Sequence, residues 1–131
     1  MVAAYADPGA ARPVILVVED DFDTRRMMAT MLAPLGEVRT ACDGEEALEL
    51  LLDERPDLIV TDVMMPKLDG FELSRFLKAD PALSRIPILV VTARNLPRDV
   101  VEGINAGARY YMTKPFSPHE LVQKARRALE R

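Results

Sequence analysis

The chain has 131 residues, of which 49% are hydrophobic and 29% are charged, and its formal net charge is -4. This length suits one domain with a single core, and the acidic balance argues against a nucleic-acid-binding face. A single cysteine excludes an internal disulfide, and no apolar run approaches the roughly 20 residues that span a bilayer, so we expect a cytoplasmic protein without a membrane segment.

The first stretch of the chain, MVAAYADPGAAR, has no hydrophobic period. We interpret residues 1–12 as a flexible leader and residues 13–131 as one domain. Five short strand-like segments follow the leader, and three of them are apolar throughout, as strands covered on both faces must be. The segments are VILVV at 14–18, EVRTA at 37–41, LIVT at 58–61, ILVVT at 88–92 and RYYMT at 109–113.

Helical segments separate the strands, and their first residues indicate where they begin. In a capping box, a side-chain oxygen accepts from a free backbone N–H, and a glutamate three residues later reaches back. Three such pairs are present: Asp43 with Glu46, Asp69 with Glu72, and Ser117 with Glu120. They predict helices over 43–55, over 69–79 and from Ser117 onward, while apolar spacing predicts helices over 24–35 and 98–106.

The alternation of strands and helices predicts an α/β fold of the (βα)5 type. Parallel strands need crossover connections, and right-handed crossovers place helices on both faces of a doubly wound five-stranded sheet. We expect the methionines of the first helix, Met27, Met28 and Met31, to pack in the core or close to it. Cys42 is interpreted as a small buried residue, Asp69 as a helix cap, and His119 as a solvated side chain rather than a phosphohistidine.

Polar side chains follow the strands at their carboxyl ends, which is where open α/β sheets bind ligands. They are Glu19, Asp20 and Asp21 after the first strand, Asp62 after the third, Thr92 at the end of the fourth, and Lys114 after the fifth. Two carboxylates about 4 Å apart repel by about 4 kcal/mol at an effective dielectric near 20, so we expect a cation between them. A set of oxygen ligands favours Mg²⁺, with Mn²⁺ as a further candidate.

These groups together favour phosphoryl transfer. A cation, the Lys114 ammonium and the Thr92 hydroxyl around one carboxylate would stabilise the charge that develops on transferred phosphoryl oxygens. Asp62 is the predicted nucleophile, and it would become an aspartyl phosphate.

Four motifs, VVEDD, TDVMMPKLDG, VVTA and YMTKPF, resemble in order and separation those of the receiver domains of two-component response regulators. The resemblance covers about residues 13–131, and the four motifs together are specific although each alone is weak. It implies a flavodoxin-like sheet of strand order 2-1-3-4-5.

The resemblance also implies a role for each matching residue. Asp62 is the expected phosphoacceptor, and Glu19 and Asp20 are the acidic pair that holds Mg²⁺ with Asp62 and the backbone carbonyl of Met64. Asp21 has no assigned role.

Thr92 resembles the switch hydroxyl of the family, and Tyr111 occupies the position of its aromatic switch, although the neighbouring Tyr110 leaves that assignment open. Lys114 resembles the ion-pairing lysine, which would precede Pro115 in a cis peptide.

The implied partners are a sensor histidine kinase or a histidine phosphotransfer protein. The expected output face comprises the fourth helix, the fifth strand and the last helix, and would bind a downstream protein or a second copy. It would include Arg94, Arg98, Tyr110, Tyr111 and Lys124. The chain is interpreted as a stand-alone receiver or as the receiver part of a longer regulator. A phosphohydrolase of the haloacid-dehalogenase type is disfavoured because Met64 stands where such enzymes have a second aspartate, and nothing favours a receiver that binds without phosphate.

Overall fold

The computed structural model describes residues 12–130, so the predicted leader lies outside the described residues apart from Arg12. Strands and helices alternate along this part of the chain. The strands are β1 (Val14–Val18), β2 (Glu37–Ala41), β3 (Leu58–Thr61), β4 (Ile88–Thr92) and β5 (Tyr110–Thr113). The α-helices are α1 (Phe22–Leu32), α2 (Gly44–Asp53), α3 (Gly70–Ala79), α4 (Pro97–Ala106) and α5 (Pro118–Leu129), and a short 3-10 helix, Ala33–Leu35, follows α1.

The strands form one parallel sheet in the order β2-β1-β3-β4-β5, which confirms the predicted fold. The register aligns the carboxyl ends of neighbouring strands: Val18 lies beside Thr61, and Thr92 lies beside Thr113. The loops that leave these ends are therefore close in space, although they are far apart along the chain.

Each face of the sheet is covered by helices, because successive side chains of a strand point to opposite faces. Val17 and Val60 pack in one cluster with Leu32 of α1 and Leu121 of α5. The other cluster contains alternate strand residues together with side chains of α2, α3 and α4. Burial on both faces explains why β3 and β4 are apolar along almost their whole length. No helix within residues 12–130 is long and apolar enough to cross a membrane.

The predicted caps begin their helices. Asp69 accepts from the Glu72 N–H at 2.8 Å, and Glu72 accepts from the Asp69 N–H at 2.9 Å, a complete capping box. Asp43 accepts from the Glu46 N–H at 2.8 Å, but the Glu46 carboxylate accepts from the N–H of Cys42 at 2.6 Å instead of from that of Asp43. Ser117 accepts from the Glu120 N–H at 3.0 Å.

The first helix differs from its predicted range of 24–35. It begins at Phe22 because the carboxylate of Asp21 accepts from the Thr24 N–H at 2.9 Å and caps the helix, which gives Asp21 its role. The α-helix ends at Leu32 and continues as the 3-10 helix that contains Pro34, since proline has no N–H to donate to the preceding turn.

Two predictions of burial are wrong. Met27 is 42% exposed, whereas Met28 is buried with Leu32, four residues further along the same face of α1; successive positions of a helix point in different directions. Met31 packs partly against the same cluster as Met28, and His119 is exposed as expected. Cys42 is exposed because it follows β2, an edge strand, in the turn that leads to α2.

The Asp69 cap can be tested by its contribution to stability. Asp69→Ala removes the acceptor for the Glu72 N–H, so we expect a loss of about 1 kcal/mol in the free energy of unfolding. Asp69→Asn keeps an acceptor at the same place and should lose less than half as much. Urea unfolding followed by circular dichroism measures both changes, and an Asp69→Ala variant as stable as the wild type would contradict the role of the cap.

Candidate functional site

Three charged side chains from separate strand ends meet at the carboxyl edge of the sheet. The Lys114 ammonium, after β5, lies 2.6 Å from Oε1 of Glu19 and 2.7 Å from Oδ2 of Asp62. Glu19 follows β1 and Asp62 follows β3, and the residues that precede them, Val18 and Thr61, are partners in the sheet register. The ammonium therefore bridges two carboxylates that the fold places side by side.

The salt bridges between Lys114 and the two carboxylates are largely shielded from solvent. The Glu19 and Asp62 side chains are 1% and 7% exposed, and the Lys114 side chain is 23% exposed. Burial raises the pKa of Glu19 and the nearby charge of Asp62 adds to this, so the pKa stays above its usual value although Lys114 and the Asp21 N–H lower it. Burial lowers the pKa of Lys114, but its hydrogen bonds with Asp62 and Glu19 outweigh burial, and the net pKa is raised.

The Asp62 carboxylate is held in place by the main chain around it. Its Oδ1 accepts from the Met64 N–H at 3.0 Å, and the Asp62 N–H donates to the Val18 carbonyl at 3.1 Å. The first residue of α3, Gly70, comes so close that a Cβ there would lie 2.2 Å from the Asp62 carbonyl oxygen. Glycine at this position lets α3 start directly against the loop that carries Asp62.

The acids after β1 point in different directions. Oε2 of Glu19 accepts from the Asp21 N–H at 3.1 Å, while the carbonyl of Glu19 accepts from Arg25 at 2.8 Å. Asp20 is exposed, and the carboxylate of Asp21 caps α1. The structure thus brings together Glu19, Asp62 and Lys114, whereas Asp20, the next residue after Glu19, is exposed to solvent.

The donor set fits a hard cation. Two carboxylates against one ammonium leave an excess of negative charge, and the raised pKa of Glu19 reflects part of it. Among residues 12–130 no three acidic, histidine or cysteine side chains form a ready-made metal cage. A small number of carboxylates, such as those of Glu19 and Asp62, suits Mg²⁺, which binds one or two carboxylates and completes its octahedron with water and phosphate oxygens. Glu19, Asp20, Asp62 and the Met64 carbonyl remain the predicted ligands.

Thr92 and Tyr111 both contact Arg94, the second residue after β4. Thr92 is fully buried, and its Oγ1 accepts weakly from the Arg94 N–H at 3.4 Å. The Tyr111 hydroxyl donates to the Arg94 carbonyl at 2.9 Å. Tyr110 packs with the cluster on the opposite face of the sheet, where Lys124 lies 5.8 Å from its ring centre. The geometry couples Tyr111, and not Tyr110, to the segment after Thr92.

Asp99 is a further charged residue near the site that the sequence did not single out, and this acid is buried, with 4% of its surface exposed. Its Oδ1 accepts from Arg94 at 2.6 and 3.0 Å, and its Oδ2 accepts from the Leu96 N–H at 3.1 Å. Burial raises the pKa of Asp99, but the hydrogen bonds from Arg94 and Leu96 outweigh it, and the net pKa is lowered. Proline at the first position of α4 with an acid two residues later was the available signal.

The sequence profile described as the response regulator receiver domain matches residues 15–126. The response regulator MprA of Mycolicibacterium vanbaalenii is 45% identical over 118 residues, which are 89% of this chain and 50% of that protein. The signal receiver domain of a histidine kinase from Syntrophus aciditrophicus is 37% identical, with a TM-score of 0.83 and 89% of both chains covered. The chemotaxis protein CheY4 of Vibrio cholerae is 34% identical with a TM-score of 0.84, and the match covers 90% of this chain and 99% of that one.

The chain spans about half the length of the curated relatives it matches.

Removing the ammonium should make stability depend on pH. Lys114→Met leaves Glu19 and Asp62 facing each other, and the pKa of Glu19 then rises further because both effects by which Lys114 lowers it are lost. A carboxyl whose pKa is raised by folding stabilises the protein when protonated, and that stability is lost as pH rises through the folded-state pKa. Relative to the wild type, we expect the free energy of unfolding to fall by about 1–3 kcal/mol at pH 8, since Lys114 is not fully buried. The deficit should be smaller at pH 4, where Glu19 is more often protonated.

Urea unfolding at pH 4, 6 and 8 measures this deficit. Lys67→Met is the matched control, because Lys67 is 58% exposed and pairs with Asp43 and Glu45 only at 3.8 and 3.6 Å. A Lys114→Met deficit that does not grow with pH, or that equals the deficit of Lys67→Met, would show that the bridge carries no such charge balance.

Proposed function

Since this chain belongs to the family of response regulator receiver domains of two-component signalling, we propose that Asp62 accepts a phosphoryl group from a partner protein. The observation that carries the proposal is the Lys114 ammonium at 2.7 Å from Oδ2 of Asp62 and 2.6 Å from Glu19. A buried carboxylate that is held by an ammonium at the ligand-binding edge of an open sheet is suited to nucleophilic attack on phosphorus.

In the proposed reaction, an oxygen of Asp62 attacks the phosphorus of a phosphohistidine on a sensor kinase or a phosphotransfer protein. The P–N bond breaks, and the imidazole leaves with the electron pair. Lys114 then has a phosphoryl oxygen within its reach in place of a carboxylate oxygen, and the Thr92 hydroxyl donates to another. The Met64 N–H keeps Oδ1 of Asp62 fixed at 3.0 Å while the other oxygen reacts.

The reaction is proposed to depend on Mg²⁺, with Mn²⁺ as a substitute. Glu19, Asp20, Asp62 and the Met64 carbonyl would hold the ion. When bound, it supplies positive charge to the oxygens of the transferred group. The excess of carboxylate over ammonium charge in the cluster supports this requirement.

The proposed output is a conformational change rather than a chemical product. Thr92 moves toward the phosphoryl group and Tyr111 follows, which alters the face formed by α4, β5 and α5. Val101 and Ile104 of α4 are 57% and 49% exposed, and these apolar side chains support binding of a downstream protein or of a second copy. The greater length of the curated relatives supports the alternative that this receiver is one part of a longer regulator.

The chain is proposed to act as a signalling phosphoacceptor and not as a turnover enzyme. Met64 occupies the second position after Asp62 and has no acidic group that could activate water, and its side chain is 57% exposed. Slow hydrolysis of the phosphoaspartate is the expected fate of the modified protein.

Incubation with radiolabelled acetyl phosphate and Mg²⁺ tests the proposal. We expect up to one phosphoryl group per chain, no labelling of Asp62→Asn, and no labelling of the wild type when the metal is chelated. Asp69→Asn is the matched control, since it makes the same chemical change at a helix cap and should be labelled as the wild type is.

Labelling of Asp62→Asn equal to that of the wild type would exclude this residue as the acceptor. Continued release of phosphate over many turnovers would identify a hydrolase instead of a receiver.

A further inference from the structure

One buried carboxylate ties together both sides of the loop between β4 and α4, residues 93–96. Asp99, in the first turn of α4, binds the guanidinium of Arg94 through Oδ1 and the N–H of Leu96 through Oδ2. The guanidinium also lies 5.3 Å from the centre of the Phe71 ring of α3. The side chain of Arg94 is thus held by an ion pair and an aromatic face rather than free in solvent.

The main chain of the same residue holds Tyr111. The Tyr111 hydroxyl reaches the Arg94 carbonyl at 2.9 Å, and its ring lies against α4, where a Cβ at Gly103 would be 2.7 Å from two ring carbons. Tyr111 is half-buried, and it packs against the core cluster that contains Phe71. We call this the inward position of Tyr111, and it depends on two contacts: the hydrogen bond to the Arg94 carbonyl and the packing of the ring against α4 at Gly103.

Asp99 connects these two requirements. It belongs to α4, and it binds the side chain of the same residue whose carbonyl accepts from the Tyr111 hydroxyl. A charge-assisted hydrogen bond at 2.6 Å from a carboxylate that is 4% exposed is stronger than the exposed ion pairs nearby. Loss of this bond frees the loop while it leaves the carbonyl oxygen itself in the chain.

We propose that the Asp99–Arg94 ion pair is a latch that positions the Arg94 carbonyl to receive the Tyr111 hydroxyl, and so sets the population of the inward Tyr111 position. Asp99 and Arg94 act here as positioning residues and do not touch the reacting atoms at Asp62. The use of this latch in signalling rests on the proposed function, whereas the equilibrium of Tyr111 does not.

Fluorine NMR of protein labelled with 3-fluorotyrosine measures that equilibrium directly. The chain has three tyrosines, and Tyr111→Phe assigns the signal of interest. Gly103→Ala supplies the reference for the displaced ring, because the added methyl group takes the space of the ring. The spectra are recorded without Mg²⁺ or a phosphodonor, so the result is independent of whether Asp62 is phosphorylated.

Two substitutions open the latch in different ways. Asp99→Asn keeps an oxygen for the Leu96 N–H, so the start of α4 is preserved while the charge is lost. Arg94→Ala keeps the carbonyl that accepts from Tyr111 and removes only the side chain. In both variants we expect the displaced population of Tyr111 to rise about five- to tenfold, with its signal moving toward that of Gly103→Ala.

Glu102→Gln is the matched control, because this acid lies on the same helix and approaches Arg94 only at 3.8 Å with a side chain that is 46% exposed. Its Tyr111 signal should match that of the wild type. The double variant of Asp99→Asn and Arg94→Ala should resemble either single variant, since both remove one interaction. A Tyr111 signal that stays at the wild-type position in Asp99→Asn and Arg94→Ala would overturn the latch, and so would a signal unmoved by Gly103→Ala.

Discussion

Two carboxylates buried within reach of one ammonium are the constraint on which the site depends. Glu19 and Asp62 stand at the ends of neighbouring strands, and Lys114 reaches them from 95 and 52 residues away along the chain. Without the ammonium, the two negative charges would repel each other in a site that is largely shielded from water. The parallel sheet makes this arrangement possible, because it directs the carboxyl ends of the strands, and with them the residues Glu19, Asp62 and Lys114, to one edge.

Most of the fold could be predicted because two local signals agree. Nearly continuous apolar runs mark β3 and β4 as strands buried on both faces, and the caps at Asp69 and Ser117 mark the helix starts. The start of α1 and the burial of Met27 were predicted wrongly because the local sequence pattern was weak at both places. Glu19, Asp20 and Asp21 are three consecutive acids, and the sequence does not indicate which of them caps α1. Helical spacing alone did not separate exposed Met27 from buried Met28.

The site could be predicted only as a set of residues at strand ends. Strand order and register decide that Glu19 and Asp62 become neighbours, while Asp20, adjacent to Glu19 in sequence, is exposed. The pairing of Asp99 with Arg94 escaped prediction because it depends on how a loop folds back on the first turn of its helix. Local patterns report hydrophobic period and capping, and they do not report the path of such a loop.

Successive side chains of β5 point to opposite faces of the sheet, and this has a consequence for how the protein can diversify. Tyr110 and Tyr111 are adjacent, yet Tyr110 lies beside Lys124 of α5 and Tyr111 lies against Gly103 of α4. A substitution at the first tyrosine changes the surface near α5 and leaves the ring contacts of the second intact. After gene duplication, two copies could therefore acquire different recognition surfaces near α5 while both keep the contacts of Tyr111 with α4 and Arg94. Such paralogues would differ in the partners they bind and share the same internal contacts.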